Sequence, residues 1–358
     1  MKMNTNQKIE KVKEILKNHQ KIALAFSGGA DSTLLAYLAK EVDCDVLAIT
    51  YDNQIFPSGF LEFAKKRASR LGVRHEIIEN NFLDMEGDIV NNTPLRCLVC
   101  RRLMYGAIKQ LANEEGYEII IDGNNITDLT HDRPGILMKY EFEIESPFIE
   151  AELETYEIHK FLEESNIEYS RSTTCLATRV KTNETVTMDK VNRIDYCESF
   201  IKEKTNSQTA KLRESNNVAT VELDNIGIVL EKKRIESIVN ELQLAQYEKI
   251  LFNFIVDKNK ESLIEDKELE IGANNLTLRK RLPFGINIQE TVRIIEENEN
   301  EHISNVQSFE DIGYIKLDVD EKESKIFRDG KISIENNRDK VDAKESLVKI
   351  LPLIRRTV

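Results

Sequence analysis

A glycine pair near the start of the chain connects an apolar segment to a run of polar side chains. The apolar segment spans residues 23–26, and the loop after it reads Ser27-Gly28-Gly29-Ala30-Asp31-Ser32. Glycine allows positive φ and lets a backbone approach an anion closely. When a helix begins after such a loop, its free amides and its dipole favour a phosphate group. The loop therefore predicts a nucleotide phosphate site, with Asp31 as a metal ligand or an orienting group.

Three of the five cysteines stand where they could take part in chemistry. Cys97 and Cys100 have the CxxC spacing, which can hold one metal ion or two corners of an iron–sulfur cluster. Cys175 lies in a polar stretch between the two halves of the chain, as a candidate sulfur donor or third cluster ligand. We expect nearby arginines to lower the thiol pKa values and favour thiolates; they are Arg96, Arg101, Arg102, Arg171 and Arg179. The same arginines could equally be solvated charges.

Composition narrows the class of protein. The chain has 358 residues, 41% of them hydrophobic, which suits about two or three domains with real cores. Its formal net charge of −13 argues against a broad nucleic-acid-binding surface. No apolar run approaches the roughly 20 residues that span a bilayer, and residues 1–20 predict a helix rather than a signal peptide. We therefore expect a cytoplasmic protein without a membrane or nucleic-acid partner.

The two cysteines outside these motifs, Cys44 and Cys197, are expected to be packing residues. An odd number of cysteines in a long chain does not suggest a disulfide framework.

The elements that must position the loop alternate between helix and strand over residues 1–165. Strands are predicted over 21–26, 45–50, 75–78 and 118–121, and helices over 9–16, 31–40, 59–71, 101–114 and 155–164. This alternation predicts an α/β domain over 1–170, with a parallel sheet covered by helices on both faces. Ligands of such sheets bind beyond the carboxyl ends of the strands. The glycine loop, Thr50–Asp52 and Asp122–Asn124 are all predicted at that edge.

The second half of the chain predicts an α+β region. We place one unit at 171–256 and an extension at 257–358, joined by a charged connector over 257–268. The extension resembles a divergent repeat of the unit before it, at a spacing of about a hundred residues. Arg179-Val180 and its downstream pattern correspond to Arg281-Leu282 and the residues that follow.

The order of motifs resembles the LarE family of ATP-dependent sulfur transferases, in the PP-loop ATP pyrophosphatase superfamily. The glycine loop is not a Walker A loop, since it lacks the Gly-Lys-Ser/Thr ending. The motifs that carry the resemblance are Ser27–Ser32, Arg96-Cys97-x-x-Cys100, Asp122-Gly123-x-Asn125-x-x-Asp128-Leu129, Arg133-Pro134-Gly135, Ser146–Ala151 and Cys175-Leu176-Ala177-x-Arg179. They cover about residues 8–200, with weaker similarity to about residue 255.

The resemblance implies a reaction. The family puts sulfur onto carboxylates of a pyridinium mononucleotide during synthesis of a nickel-pincer nucleotide cofactor. ATP and Mg²⁺ adenylate the carboxylate, pyrophosphate leaves, and a sulfur nucleophile then displaces AMP. The implied partners are a small nucleotide substrate, a sulfide source and further copies of the chain in a homo-oligomer.

We assign expected roles to the residues of these motifs. Ser27, Gly28, Gly29, Asp31 and Ser32 are expected to hold the phosphates and Mg²⁺. The other expected nucleotide contacts are Thr50, Asp52, Asn125, Asp128 and Arg133. Asn125 and Asp128 could instead form an Asx turn, and Arg133 could pair with a loop carboxylate. Arg179 is the candidate partner of a substrate phosphate or carboxylate, so the catalytic set is Cys175, Asp31 and Arg179.

The cysteines decide the source of sulfur. In family members with three cysteines, those matching Cys97, Cys100 and Cys175 are thought to hold a 4Fe–4S cluster with an extra sulfide. In members with one cysteine, the residue matching Cys175 gives up its own sulfur. We favour the cluster, because three thiolates and one open iron suit a site that passes on sulfide.

Departures from the family pattern bear on the substrate. The family usually reads Gly-Thr-Asn where this chain has Gly123-Asn124-Asn125, and it continues Arg-Ile-Pro-Tyr-Gly where this chain has 179–183. The sequence Arg281-Leu282-Pro283-Phe284-Gly285 in the extension is closer to the family form. Family matching also places Glu198 and Arg213 near the substrate, although we expect Glu198 on solvated helix surface.

Three other functions stay open from the sequence. The first is a tRNA thiolase of the PP-loop class, against which the acidic balance counts. The second is a non-catalytic carrier of a nucleotide or cofactor. The third is an amidotransferase-type ligase, which would not need the cysteines.

Overall fold

A computed structural model describes residues 4–84, 87–170, 174–207, 210–224, 227, 231–254, 263–272, 275–298 and 300–357. The first helices are α1 (Thr5–Lys17), α2 (Ala30–Glu41), α3 (Phe60–Leu71), α4 (Arg96–Glu114), α5 (Met138–Glu141), α6 (Pro147–Glu150) and α7 (Thr155–Glu164). The first strands are β1 (Lys21–Ala25), β2 (Asp45–Asp52), β3 (Arg74–Glu79) and β4 (Ile120–Ile121). Short 3-10 helices follow β4 at Ile126–Thr130 and Pro134–Leu137.

These four strands form a parallel sheet in the order β3–β2–β1–β4, as the alternation of elements predicts. Alternate side chains of β1 point to opposite faces. Ile22 and Leu24 pack against α1, α2 and α7, whereas Ala23 packs against α4. Helices therefore cover both faces of the sheet, and the predicted α/β fold is confirmed. Several boundaries differ by a few residues, most at α4, which begins at Arg96 and so contains the CxxC pair.

The second region begins with a 3-10 helix at Leu176–Arg179 and continues through α8 (Met188–Thr205), β5 (Ala210–Ser215), β6 (Val218–Leu223), α9 (Lys232–Leu244) and β7 (Lys249–Phe254). The three strands form one sheet, in which β6 pairs antiparallel with β5 and parallel with β7. Leu212, Val221 and Ile194 are among the fully buried side chains of this core.

The third region contains the strands β8 (Leu269–Ile271), β9 (Leu276–Arg281), β10 (Ile303–Phe309), β11 (Tyr314–Val319), β12 (Lys322–Phe327) and β13 (Lys331–Asn337). They form an antiparallel sheet in the order β10–β11–β12–β13–β9–β8. The helices α10 (Ile288–Glu297) and α11 (Lys340–Ile350) belong to the same region. Its hydrophobic core also includes Ile126, Leu129 and Ile136 of the first region.

The second and third regions share one run of elements, although in the third region the strands β8 and β9 precede it. A helix and an antiparallel strand pair occur in both, as α8 with β5–β6 and as α10 with β10–β11. Beyond that point the topologies differ, because the second region continues through α9 to a parallel strand and the third continues through two antiparallel strands. The duplication and the domain boundaries stay predictions. Residues 257–262 of the predicted connector, and Arg171, lie outside the described residues.

No helix in the described part of the chain is both long enough and apolar enough to cross a membrane.

The core shared by the first and third regions can be tested by substitution. Ile126 is fully buried in it. Ile126→Ala is expected to lower the free energy of unfolding by about 2–5 kcal/mol, because it leaves a cavity. Chemical denaturation measures the loss. In the matched control Ile312→Ala the side chain is 76% exposed, and a change within about 0.5 kcal/mol is expected. Equally small effects of both substitutions would contradict a shared core.

Candidate active site

The glycine loop connects β1 to α2 at the carboxyl edge of the parallel sheet. Gly28 has a φ of +70°, in the region that favours glycine, and an added Cβ there would lie 3.2 Å from the Cα of Ala64. The hydroxyls of Ser27 and Ser32 lie 3.3 Å apart, and the amide of Gly29 donates to the hydroxyl of Ser27 over 3.3 Å. Because the loop leads into the N-terminus of α2, its donors and the helix dipole suit a phosphate group.

Asp31 is fixed by the loop that follows β4. The side-chain amide of Asn125 donates to Asp31 Oδ1 over 3.0 Å. Gly123 makes this approach feasible, since an added Cβ would lie only 2.7 Å from the Cβ of Asp31. Burial, followed by repulsion from the Asp128 carboxylate, raises the pKa of Asp31 to about 7. A buried carboxyl beside a second carboxylate is a suitable site for a divalent cation that accompanies ATP.

The 3-10 helix after β4 supplies the second carboxylate. Asp128 accepts a hydrogen bond from the backbone amide of Asn125 over 3.1 Å and forms an ion pair with Arg133. The Asn125 side-chain oxygen accepts from the amide of Thr127, so the predicted turn is present. The same Asn125 side chain also reaches Asp31, so the turn and the site share it. Arg133 is 55% exposed and can therefore turn toward a bound phosphate.

These residues line a cleft of about 350 Å³. Its lining brings together Ser27, Asp31, Ser32, Asp128 and Arg133, all predicted from the sequence. The cleft therefore has the room and the donors for a nucleotide.

Sequence reasoning missed several residues of the same cleft, and it placed Arg101 beside the cysteines instead. Arg101 donates to the side chain of Asn124 over 3.3 Å and lies 4.9 Å from the ring centroid of Tyr105. Phe56 and Phe60 stack with ring centroids 4.2 Å apart at the cleft. No local sequence pattern marks these residues, because they enter the cleft from α4, from the segment before α3 and from the first turn of α3.

Two predicted nucleotide contacts lie elsewhere. Thr50 is fully buried, and its hydroxyl donates to the Phe26 carbonyl oxygen and contacts His75, both at 2.8 Å. Asp52 accepts from the amide of Gln54 over 2.9 Å. Neither is among the side chains that line the described cleft, and their contact with adenosine stays a prediction. Thr50 and Asp52 do lie at the end of β2, but their side chains form hydrogen bonds with nearby backbone groups.

The three cysteines converge beside the cleft. Cys97 and Cys100 lie one turn apart at the start of α4, and Cys175 directly precedes the 3-10 helix Leu176–Arg179. Burial raises the pKa of Cys100 most, and the neighbouring Cys175 and Cys97 raise it further, so the three cysteines lie near one another. Thr174, the residue before Cys175, lines the nucleotide cleft.

Two side chains connect the start of α4, which carries Cys97 and Cys100, with the segment that follows Cys175. The side-chain amide of the fully buried Asn92 donates to the carbonyl oxygens of Val180 and Lys181, over 3.0 and 2.9 Å. Arg96 donates to the carbonyl oxygen of Ala177 over 3.1 Å and to the sulfur of Cys97 over 3.4 Å. The start of α4 is therefore bound to the segment that carries Cys175.

The expectation that arginines favour thiolates is wrong for two of the three cysteines. Burial raises the pKa of Cys100 to about 12, and burial also raises the pKa of Cys175 despite the opposing charge of Arg96. Two of the other predicted arginines face different partners. Arg102 forms a bidentate pair with Glu141, and Arg101 faces the cleft.

Arg179 is buried and belongs to an ion pair. It donates to Glu198 over 2.6 Å and to the hydroxyls of Thr174 and Thr178 over 2.6 and 2.8 Å. Glu198 is 1% exposed, so its expected position on solvated helix surface is wrong. The pair is buried because α8 packs its inner face against β5, where the amide of Leu212 also donates to Glu198. In this arrangement Arg179 orients the segment around Cys175.

A second cleft, of about 340 Å³, is lined in part by Arg179, Lys181 and Arg213. Lys211 lies nearby. Burial, together with the charges of Arg179 and Arg213, lowers the pKa of Lys211. This concentration of cations suits an anionic ligand.

The fit of an iron–sulfur cluster depends on the cysteines. Among the residues described, no three or more His, Cys, Asp or Glu side chains have the arrangement of a metal site. The donor set nevertheless has the chemistry of cluster ligation, because it offers three cysteines from two connected segments. Ligation would require these thiols to lose their protons. The remaining two cysteines, Cys44 and Cys197, lie buried in two separate cores.

Comparisons with known proteins agree with this architecture. Residues 1–138 match the family described as the PP-loop domain. The chain is 28% identical over 243 residues to an uncharacterized protein of Methanocaldococcus jannaschii, covering 68% of this chain and 92% of that protein. It is 26% identical over 219 residues to the pyridinium-3,5-bisthiocarboxylic acid mononucleotide synthase of Lactiplantibacillus plantarum, covering 60% of this chain and 78% of that enzyme. A tRNA-specific 2-thiouridylase of Fusobacterium nucleatum is 29% identical over 115 residues, covering 29% of this chain and 34% of that enzyme.

Residues 1–138 are thus a PP-loop domain that uses ATP, as the loop and the sheet predict. The chain is a homologue of the synthase from Lactiplantibacillus plantarum, which confirms the resemblance to the LarE family. The family match and this homologue support the predicted class of enzyme, an ATP-dependent sulfurtransferase.

The raised pKa of Asp31 predicts a pH dependence of MgATP binding. Mg²⁺ binds the carboxylate form, so below a pKa of about 7 the cation must displace a proton from Asp31. The dissociation constant is therefore expected to rise about tenfold from about pH 8 to about pH 6 and to level off above neutrality. Titration calorimetry at several pH values measures it. Asp31→Asn is the control for the protonation of ATP itself. This variant should bind MgATP weakly, and its dissociation constant should change less with pH. The same slope in both proteins would contradict the role of Asp31.

Proposed function

We propose that this protein adenylates a carboxylate of a small nucleotide substrate and then inserts sulfur into the activated carbonyl. One observation carries the proposal, namely that Thr174 lines the nucleotide cleft while the next residue is Cys175. An activated carboxylate formed in this cleft would lie beside the segment that delivers sulfur. Such adjacency is needed because an acyl adenylate hydrolyses when it meets water before its nucleophile.

The first step activates the carboxylate. A carboxylate oxygen of the substrate attacks the α-phosphorus of ATP, the bond to the β-phosphate breaks, and pyrophosphate leaves. The amides and hydroxyls of the glycine loop bind the departing phosphates, and Asp31 with Asp128 holds the Mg²⁺ that shields their charge. Arg133 and Arg101 add positive charge at the same edge of the cleft. These residues act mainly by positioning and by charge stabilisation.

The second step transfers sulfur. A sulfur nucleophile attacks the acyl carbon, AMP leaves with the electron pair of the broken C–O bond, and a thiocarboxylate forms. We propose Cys97, Cys100 and Cys175 as ligands of a 4Fe–4S cluster, which would supply a bound exogenous sulfide. Buried Arg179 and Glu198 hold the Cys175 segment in place throughout.

The alternative source of sulfur is Cys175 itself. Its sulfur would then attack the acyl carbon directly. Loss of the Cα proton would break the bond between Cβ and sulfur and leave dehydroalanine at position 175. The raised pKa of this thiol means that a base must accept its proton before attack.

The proposed substrate is a carboxylated pyridinium mononucleotide, as in nickel-pincer cofactor synthesis. The homology to the synthase supports this class. The cationic cleft around Lys181, Lys211 and Arg213 is suited to the phosphate of such a nucleotide. A tRNA substrate is the second candidate, because a tRNA-specific 2-thiouridylase shares similarity over 29% of the chain. The net charge of −13 favours the small nucleotide. We further propose that the protein works in the cytoplasm as a homo-oligomer.

Measuring adenylation and sulfur transfer separately tests whether Cys175 acts only in the second step. Cys175→Ala is expected to keep pyrophosphate release within about twofold of the wild type, because Asp31 and the glycine loop remain intact. It should abolish formation of the thiocarboxylate, measured by mass spectrometry of the nucleotide product. Cys197→Ala removes a fully buried cysteine from the core behind α8 and should retain both activities. Equal loss of pyrophosphate release and sulfur transfer in Cys175→Ala would contradict the proposal.

The source of sulfur is decided by anaerobic purification. Protein with a cluster is expected to be brown, to absorb near about 400 nm and to contain iron and sulfide. Cys97→Ala and Cys100→Ala should lose the absorbance, while Cys44→Ala keeps it. Colourless wild-type protein under strict anaerobiosis would exclude the cluster. If turnover then lowers the mass at Cys175 by about 34 Da, the residue donates its own sulfur. Co-purified tRNA would instead favour the tRNA substrate.

A further inference from the structure

The third region packs against the loop that forms one wall of the nucleotide cleft. Ile126 and Leu129 flank Asp128 on its 3-10 helix, and both belong to the hydrophobic core of the third region. Ile136, on the next 3-10 helix, belongs to the same core. The polar side of this loop thus faces ATP while its apolar side is buried by a region that the PP-loop match does not include.

Arg356 reaches the same loop from 224 residues further along the chain. Its Nη2 lies 2.7 Å from Asp132 Oδ1, and its side chain is 9% exposed. The guanidinium lies 4.5 Å from the ring centroid of Phe284. Buried in this way, Arg356 cannot simply exchange its carboxylate partner for water.

The second terminal nitrogen of Arg356 points to a small cavity beside the site. Nη1 is buried and has no hydrogen-bond partner among the described residues. Arg356 lines a cavity of about 20 Å³ together with Asp128, His131 and Phe284, which is room for about one water molecule. A buried donor of this kind strongly favours a fixed partner over an empty space.

The backbone around Arg356 is itself held firmly. The amide of Thr357 donates to the carbonyl oxygen of Gly285 over 2.8 Å, and Arg356 pairs antiparallel with Ile286. An added Cβ on Gly285 would lie 2.7 Å from Thr357 Oγ1, so a larger residue there would make the Thr357 side chain shift. Gly285, the last residue of the family-like sequence Arg281–Gly285, therefore helps to hold the segment that carries Arg356.

We propose that Arg356 is a positioning residue for the nucleotide site. Through Asp132 and the cavity beside Asp128, it fixes the loop 125–133 in the conformation that presents Asp128 and Asn125 to MgATP. This inference rests on the proposed ATP site and adds to it a residue of the third region. Arg356 contacts no reacting group, so it acts on nucleotide affinity and not on the chemical step.

The test measures MgATP affinity by titration calorimetry. Arg356→Ala is expected to raise the dissociation constant about tenfold, the equivalent of about 1.4 kcal/mol. Arg356→Lys keeps a cation near Asp132 and should recover most of the affinity. Asp132→Ala breaks the same pair from a side chain that is 62% exposed, so it should weaken binding without unfolding the protein. Lys344→Ala is the matched control, because it breaks another ion pair between these regions, that with Glu154.

Wild-type affinity in Asp132→Ala would overturn the proposal, even if Arg356→Ala failed to fold. An equal loss of MgATP affinity in Lys344→Ala would also overturn it. The packing of the third region against the first would then explain the effect without a specific role for Arg356. If the wild-type chain bound no MgATP, the proposed function would fail and hydrogen exchange would decide the inference. In that case, faster amide exchange over 125–133 in Asp132→Ala supports positioning by Arg356, and unchanged exchange overturns it.

Discussion

The burial of the Asp31 carboxylate, where the loop after β1 meets the loop after β4, is the constraint on which the site depends. The two backbones approach closely only because Gly123 lacks a side chain. Burial and the Asp128 carboxylate raise the pKa of Asp31, so the free site holds more negative charge than it can readily stabilise. A divalent cation with ATP relieves that condition. The electrostatics of the cleft therefore favour the binding of a nucleotide together with a divalent cation.

In the proposed reaction, a short polypeptide segment would connect the site of adenylation with the segment that carries Cys175. The segment between β2 and α3 places Phe56 at the nucleotide cleft and buries Ile55 in the core of the second region. The carbonyl oxygen of Ile55 accepts from the amide of Leu176 over 2.7 Å, directly after Cys175. One segment thus contacts the nucleotide site on one side and the sulfur segment on the other. In the proposed reaction, this arrangement would keep the acyl adenylate close to its sulfur nucleophile.

Much of the first region could be predicted because its signals are local. The glycine pair, the alternation of elements and the polar residues at strand ends each depend on neighbours in sequence, and together they placed Ser27, Asp31 and Asp128 in one cleft. Arg101, Phe56 and Phe60 were missed because they enter the cleft from elements whose direction no local pattern reveals. Glu198 was misplaced for a related reason. A charged residue on an amphipathic helix is usually solvated, but here it meets Arg179 from a distant segment.

The sequence by itself determined the class of chemistry, because the phosphate loop and the three cysteines are defined by residue type and spacing. Only the tertiary structure decided the state of the groups that carry it out. Nearby arginines suggested reactive thiolates, whereas burial raises the pKa of Cys100 and Cys175. Arg179, a predicted partner of the substrate, also forms a buried ion pair with Glu198 that the sequence did not reveal. The physical reason is that desolvation and pairing depend on which segments meet in space, and spacing along the chain does not contain that information.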